Sequence, residues 1–131
     1  MLAPLLREMV AAEVPVLEAH GLTMWGYVVL LALDRSSMRT QAALAAAIGA
    51  DKTRIIRTLD ELQDDGYIER RPDPDDRRMR VLAITAAGRR VKDAAQKEIQ
   101  QGEERWLGEL TVEERRTFLR VLERLTRGEW E

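Results

Sequence analysis

Between Thr40 and Gly88 the chain reads TQAALAAAIGADKTRIIRTLDELQDDGYIERRPDPDDRRMRVLAITAAG. Thr40 is placed to cap a short alanine-rich helix, Gln41 to Ile48. Gly49-Ala50 makes a turn, and Asp51 is placed to cap a second helix, Lys52 to Asp65, because an N-cap oxygen satisfies one of the free N–H groups at a helix start. In that second helix Ile55, Leu59 and Leu62 fall on one face, while Thr53, Arg54, Arg57 and Glu61 point largely away from it. Gly66 ends the helix. Tyr67 to Arg71 and Arg80 to Ile84 read as paired strands, and the PDPDDRR between them is turn chemistry.

Helix, tight turn, helix and hairpin in this order describe a winged helix-turn-helix, an arrangement suited to reading DNA. The second helix fits a major groove, where every base pair shows its own donor and acceptor pattern. Lys52, Thr53, Arg54 and Arg57 occupy its N-terminal half, where base contacts usually fall. Arg54 or Arg57 suits bidentate guanine recognition, and Lys52 and Thr53 suit phosphates. The hairpin tip carries Asp76, Arg77, Arg78 and Arg80, and an arginine there can enter a narrow minor groove. Asp76 is expected to hold an arginine of the wing or of the recognition helix by a charge-assisted hydrogen bond. The plainer alternatives are a solvated helix face with an Arg57–Glu61 pair and aspartates that only solvate the turn.

The charge distribution supports the nucleic-acid reading. The whole chain of 131 residues has a formal net charge of −2. Residues 35–92 nevertheless carry 13 Lys/Arg against 9 Asp/Glu, a net of +4, and the remainder carries a net of −6. There is no cysteine and only one histidine, His20, so thiolate zinc sites, disulfides and thiol redox sensing are excluded. No nucleophile–base–orienter set is visible, and neither an enzyme nor a bound cofactor or metal is expected. Arg7 and Glu8 interrupt the apolar N-terminus, which does not resemble a signal peptide. A cytoplasmic protein without a membrane span is expected.

Outside the central module, Leu2, Leu5, Leu6, Met9 and Val10 recur at helical spacing over about residues 2–13. Pro15 is expected to kink or end that helix. Thr23 can cap the next, MWGYVVLLALD, which is apolar nearly all round and reads as central and buried. Thr85 caps a long helix reaching about Leu107, with Val91, Ala95, Ile99, Gly102 and Trp106 along one seam. Thr111 and Glu114 have capping-box spacing ahead of a last helix with Phe118, Val121, Leu122 and Leu125 on one side. The stripes of the first and last helices can pack on each other or serve a second copy in a two-fold dimer. The fold class is mainly α with a small β component. One structural domain divides into N-terminal helices over 1–34, a winged helix-turn-helix over 35–88 and C-terminal helices over 89–131.

The segment DGYIERRPDPDDRRMRVLAITAAG, with Gly66, the DDRR turn, Thr85 and Gly88 in register, resembles the MarR (multiple antibiotic resistance regulator) family of bacterial transcription factors. HGLTMWGYVVLLAL resembles that family's second helix, with Gly26 where glutamine is frequent. Ile56 stands where a small hydroxyl residue is common. The resemblance implies a homodimer built by the terminal helices, bound to double-stranded DNA at a pseudo-palindromic operator. It implies a repressor of its own and neighbouring promoters, released by a small phenolic or aromatic effector. His20, Met24, Trp25 and Tyr27 lie at the junction where such effectors bind, although residues of this kind at the start of an apolar helix also serve as plain core. The alternative function is a winged-helix protein-interaction module without specific DNA binding.

Overall fold

The computed structural model describes residues 2–36 and 39–126. The outer bounds expected for the first and last segments, at residues 1 and 131, lie outside the described residues. The elements run α1 (Leu2–Ala19), α2 (Met24–Arg35), β1 (Arg39–Thr40), α3 (Gln41–Ile48), α4 (Lys52–Asp64), β2 (Ile68–Pro72), β3 (Arg80–Ile84), α5 (Ala86–Leu107) and α6 (Val112–Thr126). The fold is mainly helical, with one small antiparallel sheet in the order β1-β3-β2.

Side-chain caps mark the helix starts where the sequence placed them. Thr23 accepts from the Gly26 N–H at 3.0 Å, Thr40 from Ala43 at 3.2 Å, and Asp51 from Arg54 at 2.8 Å. Thr111 and Glu114 exchange the reciprocal bonds of a capping box at 3.1 and 3.0 Å. Gly49 and Gly66 take φ of 69° and 78°, a region costly to residues with a Cβ, and so turn the chain sharply between α3 and α4 and after α4.

Two elements depart from expectation. Pro15 does not end α1, which continues to Ala19. The lost N–H costs one helical bond, but the turns beyond it carry Leu17, only 1% exposed, into the core. The helix then closes with the Leu22 N–H on the Leu17 carbonyl at 2.9 Å. The second departure is β1, whose two residues carry no period of their own. It forms by pairing Arg39 with Leu82 and Thr40 with Val81, which makes β3 the central strand.

α2 lies at the centre, with Tyr27, Val29, Leu30 and Leu33 buried. Ile55, Leu59 and Leu62 of α4, Leu44 of α3, Ile68 and Leu82 of the sheet, and Ala95 and Ile99 of α5 close around it. Beyond this core the apolar stripes of the terminal helices stay open. Leu6, Val10 and Val14 on α1 are exposed, as are Phe118, Leu119, Leu122 and Leu125 on α6. α6 buries no residue at all. No single helix among the described residues is long and apolar enough to cross a membrane.

Candidate nucleic-acid interface

The i, i+4, i+7 spacing of Ile55, Leu59 and Leu62 decides which way α4 faces. All three are at most 4% exposed, so Lys52, Thr53, Arg54 and Arg57 stand on the outer side and are exposed. Arg57 pairs with Glu61 at 3.3 Å, yet its side chain remains 83% exposed. Such an i, i+4 surface pair contributes only a few tenths of a kcal/mol, so it is easily exchanged for a nucleic-acid contact. Arg54 lies with its guanidinium 5.5 Å from the ring centroid of Trp25. Ile56 also faces outward, at 38% exposure.

The hairpin of β2 and β3 pairs from Ile68 opposite Ile84 to Pro72 opposite Arg80. Its tip is ordered by aspartates acting on the backbone. The Asp73 carboxylate accepts from the Asp75 N–H at 2.8 Å, and that of Asp76 from the Arg78 N–H at 3.0 Å. Asp76 therefore does not clamp an arginine side chain as expected. Its short carboxylate meets the N–H two residues on before it reaches any guanidinium. Arg77, Arg78 and Arg80 are exposed and form no ion pair among the described residues.

Helix and hairpin are joined by a residue that the sequence reading did not single out. Arg70 on β2 donates to Gln63 at 2.7 Å and to Asp60 at 3.0 Å, both on α4. Strand alternation contained the signal, since Arg70 sits two residues from buried Ile68 and so shares its face. A second tie connects the module to α5. Asp34 in the last turn of α2 meets Lys92 at 2.6 Å and Arg89 at 2.9 Å. Hydrogen bonds from Lys92 and Arg89 hold its carboxyl below the usual range. Burial pushes Lys92 down, but its bonds to Asp34 and Asp93 more than offset this, so its pKa is raised.

The four residues expected at an effector site are not brought together. Tyr27 is core, 7% exposed. Met24 packs half-buried against that core. His20 bonds to Glu98 on α5 at 3.0 Å, and Trp25 turns toward α4. Met24 and Tyr27, three residues apart, share the core face of α2, whereas Trp25 is turned about 100° from Met24 and His20 lies in the turn before the helix. A separate cleft of about 500 Å³ lies between α1 and α5, lined by Met9, Glu13, Ile99, Glu103 and Trp106 among others, and by none of the four. Burial raises the Glu13 carboxyl pKa, and the nearby Glu103 carboxylate adds to that shift. Burial likewise raises Tyr27, with Glu13 the next contributor. Among the described residues, no group of three or more His, Cys, Asp or Glu is arranged to hold a metal ion.

The MarR family model matches residues 20–79. The HTH-type transcriptional regulator BilQ of Clostridium symbiosum is 28% identical over 109 residues, covering 83% of this chain and 76% of its own length. A crystal structure of MarR superposes with a TM-score of 0.82 at 30% identity, covering 99% of this chain and 95% of that one. A mutant MarR from E. coli, solved in complex with operator DNA, superposes with a TM-score of 0.71 at 22% identity, covering 95% and 92%. The 30% match spans almost the whole of both chains, on a fold whose exposed helix and hairpin carry the cations, and it shows that the chain belongs to the MarR family of DNA-binding transcriptional regulators and is not an enzyme.

Proposed function

We propose that the protein is a homodimeric repressor that binds a pseudo-palindromic operator upstream of its own and neighbouring genes. The observation that carries this reading is the joint placement of Arg54 and Arg57 on α4 with Arg77, Arg78 and Arg80 on the hairpin, all exposed and tied into one body through Arg70. In this proposal α4 enters the major groove and the hairpin tip the flanking minor groove. The open apolar stripes on α1 and α6 support dimerisation, since an isologous contact would cover both. Half-sites would then lie about 10 base pairs apart.

An effector would act from the cleft between α1 and α5. Met9, Val16, Ile99 and Trp106 in its lining suit an aromatic ring, and the carboxyls of Glu13, Glu98 and Glu103, which outnumber the single cation Arg105, favour a neutral phenol over an aromatic carboxylate. The deciding experiment is fluorescence-anisotropy titration with duplex DNA from upstream of the gene, against a scrambled duplex, at two salt concentrations. Preference for the native duplex with steep salt dependence is expected, because phosphate contacts release counterions. Binding that is indifferent to both sequence and salt would favour the protein-interaction reading.

Two substitutions divide the work between helix and wing. Arg57→Ala should cost about 1–3 kcal/mol on the operator and relax specificity at one base pair. An equal loss on every sequence would make Arg57 a phosphate contact instead. Arg77→Ala should weaken binding and blunt the preference for A/T-rich flanks; unchanged affinity and flank preference would sink the wing assignment.

A further inference from the structure

Trp25 is a large aromatic side chain that neither the core nor the effector cleft absorbs. It is half-buried at the start of α2, and its ring lies under the Arg54 guanidinium, 5.5 Å from the centroid. Together with Thr23, Lys52, Arg57, Thr58 and Glu61 these two residues line one open depression beside α4. The two helices meet beside this depression at Gly26. A Cβ there would stand 3.4 Å from a Leu62 methyl and 3.2 Å from the Thr23 hydroxyl, so on the α2 side only backbone meets the Leu62 side chain of α4 at that point.

Resting on the proposal that α4 reads DNA, we infer that Trp25 is a positioning residue for that readout, holding Arg54 in the orientation that recognises a guanine edge. The two arginines on this face are restrained differently. Arg57 is drawn along its own helix by Glu61, a weak contact that engages one of its N–H donors. Arg54 is held by a ring face, which leaves its full charge and all five N–H donors available. A guanidinium stacked on an indole loses rotamer freedom before binding, while its edge stays free for a bidentate acceptor. Trp25 itself need touch no base. Its contribution is the ordering cost that Arg54 would otherwise incur on the DNA.

The test is a double-mutant cycle on the full-length protein, using duplexes selected by the wild type from a randomised library. Affinity is measured on the selected duplex and on variants changed at each G·C pair. Trp25→Leu keeps apolar bulk and removes the ring face. It should weaken binding about three- to fivefold, the size of an exposed cation–π contact, and flatten preference at the same base pair whose recognition is lost in Arg54→Ala. Trp25→Phe should restore most of that preference. In the Arg54→Ala background, Trp25→Leu should cost nothing further. Additive losses, a uniform loss on all duplexes with Arg54's preference intact, or tighter binding by Trp25→Leu would each overturn the inference. If the wild type selects no sequence, or Arg54→Ala leaves every preference in place, the assignment of readout to Arg54 on α4 fails instead, which is a separate result from failure at Trp25. Thermal melts confirm that each variant folds, and Trp25→Phe carries the test should Trp25→Leu not.

Discussion

Gly88→Ala should be the most damaging single-methyl change in the protein, costing about 3 kcal/mol or more. A Cβ at residue 88 would lie 2.1 Å from the Tyr67 carbonyl oxygen and 2.9 Å from its carbon. Both atoms are backbone and cannot rotate away. That carbonyl also accepts the Thr85 N–H at 3.0 Å, and the Thr85 hydroxyl donates to the Gly66 carbonyl at 2.7 Å. The α4–β2 corner and the start of α5 are thus fastened at one point, and the added methyl separates them. Denaturant unfolding should show a lower midpoint, and operator binding should weaken in step, because the hairpin springs from this corner. A variant as stable as wild type would mean that α5 can shift outward without disturbing the strand.

Asp34→Ala should cost about 1–2 kcal/mol, less than the ~3 kcal/mol for breaking a fully buried ion pair by removing one partner, because the Asp34 side chain is 27% exposed. Lys92 has a side chain only 6% exposed and would keep Asp93 alone as its counter-ion. The pH dependence has a definite sign. The Asp34 carboxyl is held below its ordinary value of 3.8 by Lys92 and Arg89. Its contribution is therefore complete above the unfolded pKa and is lost as pH falls through the folded one. Lys92, shifted upward, keeps its charge throughout that acid range. The stability gap between wild type and Asp34→Ala should thus be constant near neutrality and close below about pH 4. A gap that persists unchanged into strong acid would show that Asp34 acts through packing rather than charge.

The central module was legible because local rules govern it. Thr40, Asp51 and Thr85 cap their helices through bonds spanning three residues, a distance a sequence pattern can specify. Ile55, Leu59 and Leu62 orient α4, and the β3 boundaries follow from the turn that precedes the strand. Features that depend on non-local partners were not legible. Arg39–Thr40 becomes a strand only beside Leu82 and Val81. Asp76 was assigned an arginine, but the turn offered a nearer N–H. The candidate effector residues are close in sequence, but His20, in the turn before α2, meets Glu98, while α2 directs Trp25 to Arg54 and Tyr27 to the core.

By itself, the sequence determined the winged helix-turn-helix, the outward face of α4 and the cation-bearing hairpin, because capping, periodicity and turn chemistry act over a few residues. Only the tertiary structure decided which groups meet across elements. It tied the hairpin to α4 through Arg70, set Asp34 against Lys92 and laid Trp25 beneath Arg54. Those contacts depend on how helices pack, and packing is settled by the shape of the whole core rather than by any one segment.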